Sequence, residues 1–235
     1  MSLTERTLPL IGEDGIKKLN NSSVIVFGVG GVGSWCAEAL ARSGVGKITL
    51  IDGDTVAETN RNRQIIATVS NIGLPKALIC AERIKDISPE CDCNGIQLFY
   101  SAQTSGEIRL EDYDYIADCI DTVTSKLFLI TQAAEKSIPI ISSMGTGNRL
   151  DPSKITFKDV FSTEGDPLAR VMRKELRARG IAKLDVVCSE EAPGACAEGR
   201  NESTNKATPS SSCFVPAAAG IRMAYEIVRE LLKNG

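Results

Sequence analysis

A glycine-rich loop follows the first segment of β-branched residues and contains the first residues suited to chemistry. Ser23 to Phe27 lacks polar alternation, which predicts a strand buried on both faces. The loop that follows carries Gly28, Gly30, Gly31, Gly33 and Ser34. Glycines let a backbone turn tightly and approach a phosphate group, and the free amides at the start of the next helix attract the anion. The loop therefore predicts a nucleotide-binding site.

Asp52 supplies a second element of such a site. It ends the next buried run, Lys47 to Ile51, and lies 19 residues beyond Gly33. A carboxylate at the end of the second strand of a βαβ unit can accept hydrogen bonds from ribose hydroxyls. The loop and Asp52 together indicate a nucleotide, but they serve NAD and ATP equally well.

The polar segment 52–64 favours ATP. It includes Asp54, Asn60 and Arg63. Arg63 can stabilise negative charge on a triphosphate, and Asn60 can hydrogen-bond it. Lys76, at the start of the next predicted helix, is a second candidate cation. A nucleotidyl-transfer enzyme needs such groups after the ribose acid, whereas a hydride-transfer enzyme does not.

Asp121 is a candidate metal ligand. It follows a predicted strand, Tyr115 to Cys119, and so lies at the carboxyl edge of the sheet, where ligands of parallel sheets bind. A carboxylate at that edge can hold Mg²⁺.

Strand and helix patterns alternate along the first 150 residues. Further helices are predicted at Ser34 to Arg42, Pro75 to Ile87 and Thr124 to Lys136, and further strands at Gly95 to Tyr100 and Ile138 to Ser142. This order predicts an α/β fold with a doubly wound, Rossmann-like, mostly parallel sheet. We expect an N-terminal helical segment at 1–22 and an ATP-binding domain at 23–150.

The pattern changes in residues 151–235, which predict a smaller C-terminal extension that binds substrate. Ile155 to Phe157 is a strand candidate, and Leu168 to Arg179 is an amphipathic helix. The segment 189–212 is rich in Ser, Ala, Glu, Gly and Asn, which predicts a mobile loop. Pro216 to Leu232 is expected to close the chain as a helix.

The composition excludes several kinds of chemistry. The absence of histidine rules out His-based metal sites and Ser-His or Cys-His nucleophile pairs. The eight cysteines include no C-x-x-C pair, so a structural zinc site is not expected. No signal peptide or membrane-spanning stretch is recognisable, which predicts a cytoplasmic chain with reduced thiols. The net charge of -3 means that any RNA contact needs a local basic surface.

The motifs resemble those of the ubiquitin-activating-enzyme-like superfamily, which includes the adenylyltransferases of thiamine and molybdopterin synthesis. The matching features are G-x-G-G-x-G-S, I-D-x-D, N-x-x-R-Q, the downstream lysine and D-x-x-D before a helix. The resemblance implies that Asp52 and Lys76 bind the nucleotide and that Asp121 coordinates magnesium. It also implies that Asn60, Arg63 and Gln64 line the phosphates.

Within the superfamily, the chain most resembles the tRNA threonylcarbamoyladenosine dehydratases. The similar segments span Leu10 to Gly15, Ala39 to Gly46, Asn62 to Ile65, Ser142 to Asn148, Asp166 to Ala169 and Ser212 to Pro216. The resemblance implies that ATP activates the threonyl carboxylate of the modified adenosine in tRNA, and that a nucleophile of the same base then closes a ring. It also implies a homodimer in which Arg6 reaches the partner's ATP. It leaves a sulfur-relay protein open as a further partner.

A cluster of cations in the 168–183 segment is the candidate RNA surface. Its members are Arg170, Arg173, Lys174, Arg177, Arg179 and Lys183. The apolar positions of the predicted helix are separate from them, so the cations can face outward together. We expect Arg170, Arg173, Lys174 and Arg177 to grip the anticodon stem. A solvated helix face is the competing interpretation.

Two alternatives concern the chemistry itself. Cys188 and Cys213 flank the expected loop and are the candidates for a catalytic thiol, whereas Cys36, Cys80 and Cys119 are expected in the core. An adenylyltransferase for the C-terminal glycine of a ubiquitin-like sulfur carrier would share the whole ATP site. The basic helix and the absence of zinc ligands favour RNA.

Overall fold

A computed structural model of the chain describes residues 3–194 and 209–233. Its strands are β1 Ser23–Phe27, β2 Lys47–Ile51, β3 Asp92–Ile96, β4 Tyr115–Asp118, β5 Ile140–Ser143, β6 Ile155–Asp159 and β7 Asp185–Ser189. Its α-helices are α1 Leu8–Asn20, α2 Gly33–Arg42, α3 Lys76–Ile87, α4 Val123–Glu135, α5 Pro167–Ala178 and α6 Phe214–Lys233. None of these helices has both the length and the apolar character needed to cross a bilayer.

The strands form one seven-stranded sheet in the order β3-β2-β1-β4-β5-β7-β6. All neighbours are parallel except β6, which pairs antiparallel with β7 at one edge. Successive residues of β1 face opposite sides, so Val24 joins the core under α2, α3 and α6, whereas Ile25 joins the core under α4. Helices thus cover both faces, which confirms the doubly wound α/β prediction.

One strand prediction was wrong in detail, and one strand was missed. β3 spans Asp92–Ile96 rather than Gly95 to Tyr100. It is an edge strand with alternating exposure, so its sequence is not strongly apolar, and the apolar residues after it pack beyond the strand. β7 at Asp185–Ser189 was not predicted, and Ser189, expected to open the loop, ends this strand.

The C-terminal third is built into the same sheet. β7 pairs with β5, and β6 completes the edge, so the strands continue across position 150. α6 packs closely on α2, where a Cβ at Gly220 would lie 2.3 Å from the carbonyl oxygen of Val32. Most of the segment expected to be a loop, including Cys196, lies outside the described residues.

A fully buried polar network lies beneath the carboxyl edge of the sheet. The Lys126 ammonium on α4 donates to the Asp118 carboxylate at 2.7 Å and to the Ser142 hydroxyl at 3.0 Å. The Ser142 hydroxyl in turn donates to Asp118 at 2.6 Å. Lys126 and Asp118 have no solvent exposure. The network joins β4, β5 and α4 by paired charges rather than by apolar contacts alone.

We expect Lys126→Met to lower the free energy of unfolding by about 3–5 kcal/mol, because it leaves the buried Asp118 carboxylate without a counter-charge. Lys126→Met/Asp118→Asn should lose much less, since it removes both charges. Urea unfolding measures both values. The exposed Lys85→Met on α3 is the control, with an expected change within about 0.5 kcal/mol. Equal losses for Lys126→Met and Lys85→Met would contradict the assignment.

Candidate functional site

The glycine loop after β1 is shaped by contacts between backbone segments. Gly28 has φ +84°, and a Cβ there would lie 2.6 Å from the carbonyl oxygen of Cys119. A Cβ at Gly33 would lie 1.8 Å from the carbonyl oxygen of Gly28. The first turn of α2 therefore sits directly against the end of β1. This brings the positive end of the α2 dipole to the loop.

Ser34 holds the loop from inside. Its side chain is fully buried, and its hydroxyl donates to the carbonyl oxygen of Gly30 at 2.6 Å. Sequence analysis assigned Gly33 and Ser34 to the nucleotide, but neither lines the cavity described below. The structure gives both a supporting position, in which they set the shape of the loop.

Asp52 is fixed at the end of β2 by two backbone amides. One carboxylate oxygen accepts from the Val29 amide at 2.6 Å and the other from the Asp54 amide at 2.8 Å. Burial raises the pKa of Asp52 above its ordinary value, while the two amide hydrogen bonds and the Lys76 charge act in the opposite direction. The carboxylate is thereby held beside the glycine loop, where a ribose would follow the phosphates.

Lys76 and Asp54 form an ion pair at the start of α3. The lysine ammonium lies 3.0 Å from the Asp54 carboxylate. Lys76 is almost buried, whereas the Asp54 side chain is half exposed. An ion pair with an exposed carboxylate is weak. The Lys76 ammonium can therefore leave Asp54 and pair with a more highly charged phosphate group.

The segment after Ala57 brings three polar side chains to the loop. The Asn60 side-chain oxygen accepts from the Ala57 amide at 3.0 Å, which fixes the turn. The aliphatic stem of Arg63 lies against Gly31, and its guanidinium donates to the carbonyl oxygen of Thr59 at 3.0 Å. Gln64 is 6% exposed, and its side-chain oxygen has no hydrogen-bond partner among the described residues. A buried amide with unmet capacity beside a cavity is available to a ligand.

Asp121 lies exposed in the turn between β4 and α4. The buried Asp118 network lies directly below it, and the second Asp118 oxygen accepts from the Ile120 amide at 3.1 Å. The turn that presents Asp121 is therefore anchored to a charged, buried pair.

These groups line one cavity of about 700 Å³ at the carboxyl edge of the sheet. This volume lies within the range of small-molecule and cofactor sites. The predicted site residues on its wall are Gly28, Gly30, Gly31, Asp52, Asp54, Asn60, Arg63, Gln64, Lys76 and Asp121. Arg6 lies on the surface and is not part of the wall. The structure thus brings together ten residues that are spread over 94 positions of the sequence.

Phe99 is a cavity residue that sequence analysis assigned to a strand. Its ring lies on the backbone of Gly53, where a Cβ would come within 2.4 Å of it. The ring is 67% exposed and lines the cavity together with Asp52 and the glycines of the loop. An exposed aromatic face beside a ribose position is suited to stacking with a purine base. The sequence signal for this position was the apolar run Leu98 to Tyr100, which continues beyond the end of the edge strand β3.

The opposite end of the cavity is built from later parts of the chain. The segment Ser143 to Arg149, the turn Asp166 to Leu168, and residues Pro193 and Pro209 to Ser211 form its wall. Asn148, with φ +59°, exchanges hydrogen bonds of 2.7 Å with the backbone of Ser210 through its amide and its side-chain oxygen. The cavity therefore extends from the glycine loop to these later segments, and we call the part that they line the second compartment. Within this wall, only Ser143 to Asn148 and Asp166 to Leu168 were recognisable from the sequence, through the resemblance.

The predicted RNA-binding cations of α5 fall into two groups. The Arg173 guanidinium donates to the carbonyl and hydroxyl oxygens of Thr163 at 2.8 and 2.5 Å. The Arg177 guanidinium lies 5.1 Å from the centre of the Phe161 ring. The side chains of Arg170 and Lys174 are exposed and pair with no other described residue. All four side chains lie on one side of the helix. Arg173 and Arg177 also hold the 161–163 turn.

The described cysteines differ sharply in environment. Cys36 and Cys80 are buried as expected, and burial raises the pKa of the Cys36 thiol to about 12. Cys119, also expected in the core, is only partly buried and lines the cavity, where burial raises the pKa of its thiol well above the ordinary value. Cys188 is also buried, within β7, and burial raises its pKa. Cys213 is exposed just before α6. Neither Cys188 nor Cys213 lines the cavity. These positions do not favour a catalytic thiol.

Comparison with known proteins identifies relatives along almost the whole chain. The profile of the ThiF family matches residues 4–233. A tRNA threonylcarbamoyladenosine dehydratase of Bacillus subtilis (strain 168) is 43% identical over 234 residues, which cover 95% of this chain and 92% of the relative. These matches confirm the resemblance drawn from the sequence motifs.

Solved structures give the same result. The Escherichia coli tRNA N6-threonylcarbamoyladenosine dehydratase TcdA in complex with AMP is 35% identical, with a TM-score of 0.88 over 97% of this chain and 93% of the other. The same enzyme in complex with ATP gives a TM-score of 0.87 at 34% identity, covering 98% of this chain and 95% of the other.

Alkylation should separate the thiols. We expect iodoacetamide at pH 8 to modify Cys213 in the native protein much faster than Cys36, Cys80 or Cys188, because burial removes access and disfavours the thiolate. Peptide mass spectrometry against time gives the individual rates, and the protein in denaturant is the control in which all four react. Fast modification of native Cys188 would contradict its buried position.

Proposed function

The chain belongs to the ThiF family, and on that premise we propose that it catalyses the ATP-dependent dehydration of N6-threonylcarbamoyladenosine in tRNA. The reaction closes a ring through an adenylate of the threonyl carboxylate. The observation that carries the proposal is the single cavity that joins the glycine loop, Asp52, Arg63, Lys76 and Asp121 to a second compartment. The near full-length similarity to dehydratases supports the choice of substrate.

The nucleotide would occupy the end of the cavity near β1 and β2. The loop amides and the positive end of α2 bind phosphate oxygens. Asp52 accepts hydrogen bonds from the ribose hydroxyls, and the Phe99 ring stacks on the base. Lys76 moves from Asp54 to a phosphate. The cradle fits this group, since Gly28, Gly30 and Gly31 line the cavity without side chains and Asp52, Lys76 and Arg63 line it beside them.

Activation transfers the adenylyl group to the substrate. An oxygen of the threonyl carboxylate attacks the α-phosphorus of ATP, and pyrophosphate leaves. Arg63 and Lys76 stabilise the charge that develops on the phosphates, and the enclosed geometry holds the reacting groups together.

A magnesium ion fits the acidic group at the edge of this site. The described residues contain no cluster of three or more possible metal ligands, so the chain by itself offers no closed cage. Mg²⁺ usually binds through one or two carboxylates together with substrate phosphates. Asp121 is the carboxylate that would hold it, and the ion would neutralise phosphate charge.

Ring closure needs no protein nucleophile. A nucleophilic group of the same modified base attacks the activated carbonyl carbon, and AMP leaves with the former carboxylate oxygen. The net change in the nucleoside is the loss of one water. Cys188 and Cys213 do not line the cavity, and the pKa of Cys119, which does, is raised by burial, so the described cysteines support this route over a thioester.

The RNA would bind along α5, whose first turn enters the second compartment. Arg170 and Lys174 are the main phosphate contacts of the proposal, because their charges are not engaged elsewhere in the described chain. Arg173 and Arg177 add charge to the same side while they hold the 161–163 turn.

Further parts of the proposal concern assembly. We place the enzyme in the cytoplasm, with its tRNA substrate, as a homodimer in which Arg6 reaches the partner's nucleotide. The surface position of Arg6, away from the cavity of its own chain, supports a role across subunits. A sulfur-relay protein is a further candidate partner, although no feature of the described residues requires one.

The decisive experiment is incubation with ATP, Mg²⁺ and tRNA that carries threonylcarbamoyladenosine, followed by nucleoside mass spectrometry. We expect loss of one water from the nucleoside together with AMP formation. Asp121→Asn should slow the reaction by about a hundredfold or more, because phosphate charge is then poorly neutralised. Asp86→Asn, at an exposed position of α3, is the matched control and should leave the rate unchanged.

An unchanged nucleoside mass would contradict the proposal. Pyrophosphate exchange stimulated by a small carrier protein with a Gly-Gly terminus would then assign the site to sulfur-carrier adenylation. A normal rate for Asp121→Asn would remove Asp121 from the site without affecting the substrate assignment.

The RNA surface is tested by Arg170→Gln/Lys174→Gln. We expect weaker tRNA binding at low salt, with a deficit that shrinks as salt rises, and a salt slope of log affinity that falls by about 2, since two phosphate contacts are lost. Fluorescence anisotropy with labelled tRNA measures both. Lys17→Gln/Lys85→Gln removes two exposed cations from α1 and α3, and an equal effect of this control pair would show that only net charge matters.

A further inference from the structure

A buried ion pair in the wall of the second compartment has no part in the nucleotide chemistry described above. The Arg149 guanidinium lies 3.1 Å from the Asp166 carboxylate, and both side chains are only 1% exposed. Both residues line the cavity. The desolvation cost of a buried ion pair can exceed the attraction between its charges, so such a pair is weak evidence for a purely stabilising role.

Arg149 joins three segments of the compartment wall. Its guanidinium donates to the carbonyl oxygen of Gly145 at 2.5 Å and to that of Glu191 at 2.9 Å, in addition to Asp166. The Glu191 carboxylate accepts from the amides of Leu150 and Asp151. The end of β5, the chain after β7 and the start of α5 are therefore tied to one side chain.

Asp166 links the pair to the proposed RNA-binding helix. One of its oxygens binds Arg149, and the other accepts from the Ala169 amide at 2.9 Å, which caps the first turn of α5. Gly145 permits this approach, since a Cβ there would lie 3.1 Å from the Asp166 carboxylate. The direction of α5 relative to the compartment thus depends on the ion pair.

We propose that Arg149 and Asp166 are positioning residues for the modified nucleoside. They fix the compartment around Gly145 and Leu168 relative to α5, so that RNA held on α5 presents one unpaired base to the compartment. This inference rests on the proposed tRNA substrate. Enzymes that act on a base receive it out of the stack in a fitted pocket, and backbone contacts alone do not distinguish one base from another.

The proposal separates two contributions to tRNA binding. The cations of α5 contact phosphates, so they affect tRNA with and without the threonylcarbamoyl group equally. The ion pair shapes the compartment that receives the modified base, so it affects only the modified tRNA. The preference for modified over unmodified tRNA is therefore the quantity that reports on Arg149 and Asp166.

The test uses Arg149→Met/Asp166→Asn, because removal of both charges leaves no unpaired buried ion and asparagine can still cap α5. We expect a thermal midpoint near that of the wild type, unchanged ATP affinity and unchanged affinity for unmodified tRNA. The preference for modified tRNA should fall roughly tenfold, together with a raised KM for that tRNA. Arg170→Gln/Lys174→Gln is the comparison, with equal losses for both tRNAs.

A retained preference in the double variant would overturn the proposal. If this variant fails to fold, Arg149→Lys answers the same question, because it keeps the charge opposite Asp166 but cannot reach Gly145 and Glu191 together. A wild-type preference with Arg149→Lys would also overturn it. Absence of any preference in the wild-type enzyme would instead contradict the proposed function, so the two failures are distinguishable.

Discussion

The candidate site depends on a close approach between two backbone segments, the end of β1 and the first turn of α2. A Cβ at Gly33 would lie 1.8 Å from the carbonyl oxygen of Gly28, so only glycine allows this contact. The contact sets the path of the loop and the direction of α2. Because strands β1, β2 and β4 are parallel, Asp52 and Asp121 follow their strands at the same edge. The nucleotide end of the cavity follows from these two constraints.

Two buried ion pairs support other parts of the cavity wall. The Asp118, Lys126 and Ser142 network supports the turn that carries Asp121. The Arg149–Asp166 pair supports the second compartment and the start of α5. Both pairs lie at the carboxyl edge of the sheet, where loops carry the functional groups. Paired charges in such places fix orientation, because an alternative arrangement would leave a charge buried without a partner.

In the proposed function, the C-terminal third of the chain connects the nucleotide site with RNA recognition. β6 and β7 extend the sheet, and α5 leaves its edge with one end in the cavity and a cationic side in solvent. In the proposed function, a phosphate-binding surface and a base-binding compartment are then parts of the same region of the fold. In this arrangement affinity for RNA and selection of the modified base can be varied by different residues.

The sequence by itself determined the alternating α/β order, the glycine loop and ten residues of the cavity wall, because buried strands and phosphate loops have strong local patterns. It also predicted the cations of α5. It missed β7, because a short apolar segment can belong to a helix or a strand. It placed β3 three residues too late, because an edge strand has a weak apolar pattern. Only the tertiary structure decided that Arg173 holds the Thr163 turn, that Ser34 supports the loop from inside, and that Arg149 meets Asp166. Those roles depend on contacts between distant segments, which no local spacing encodes.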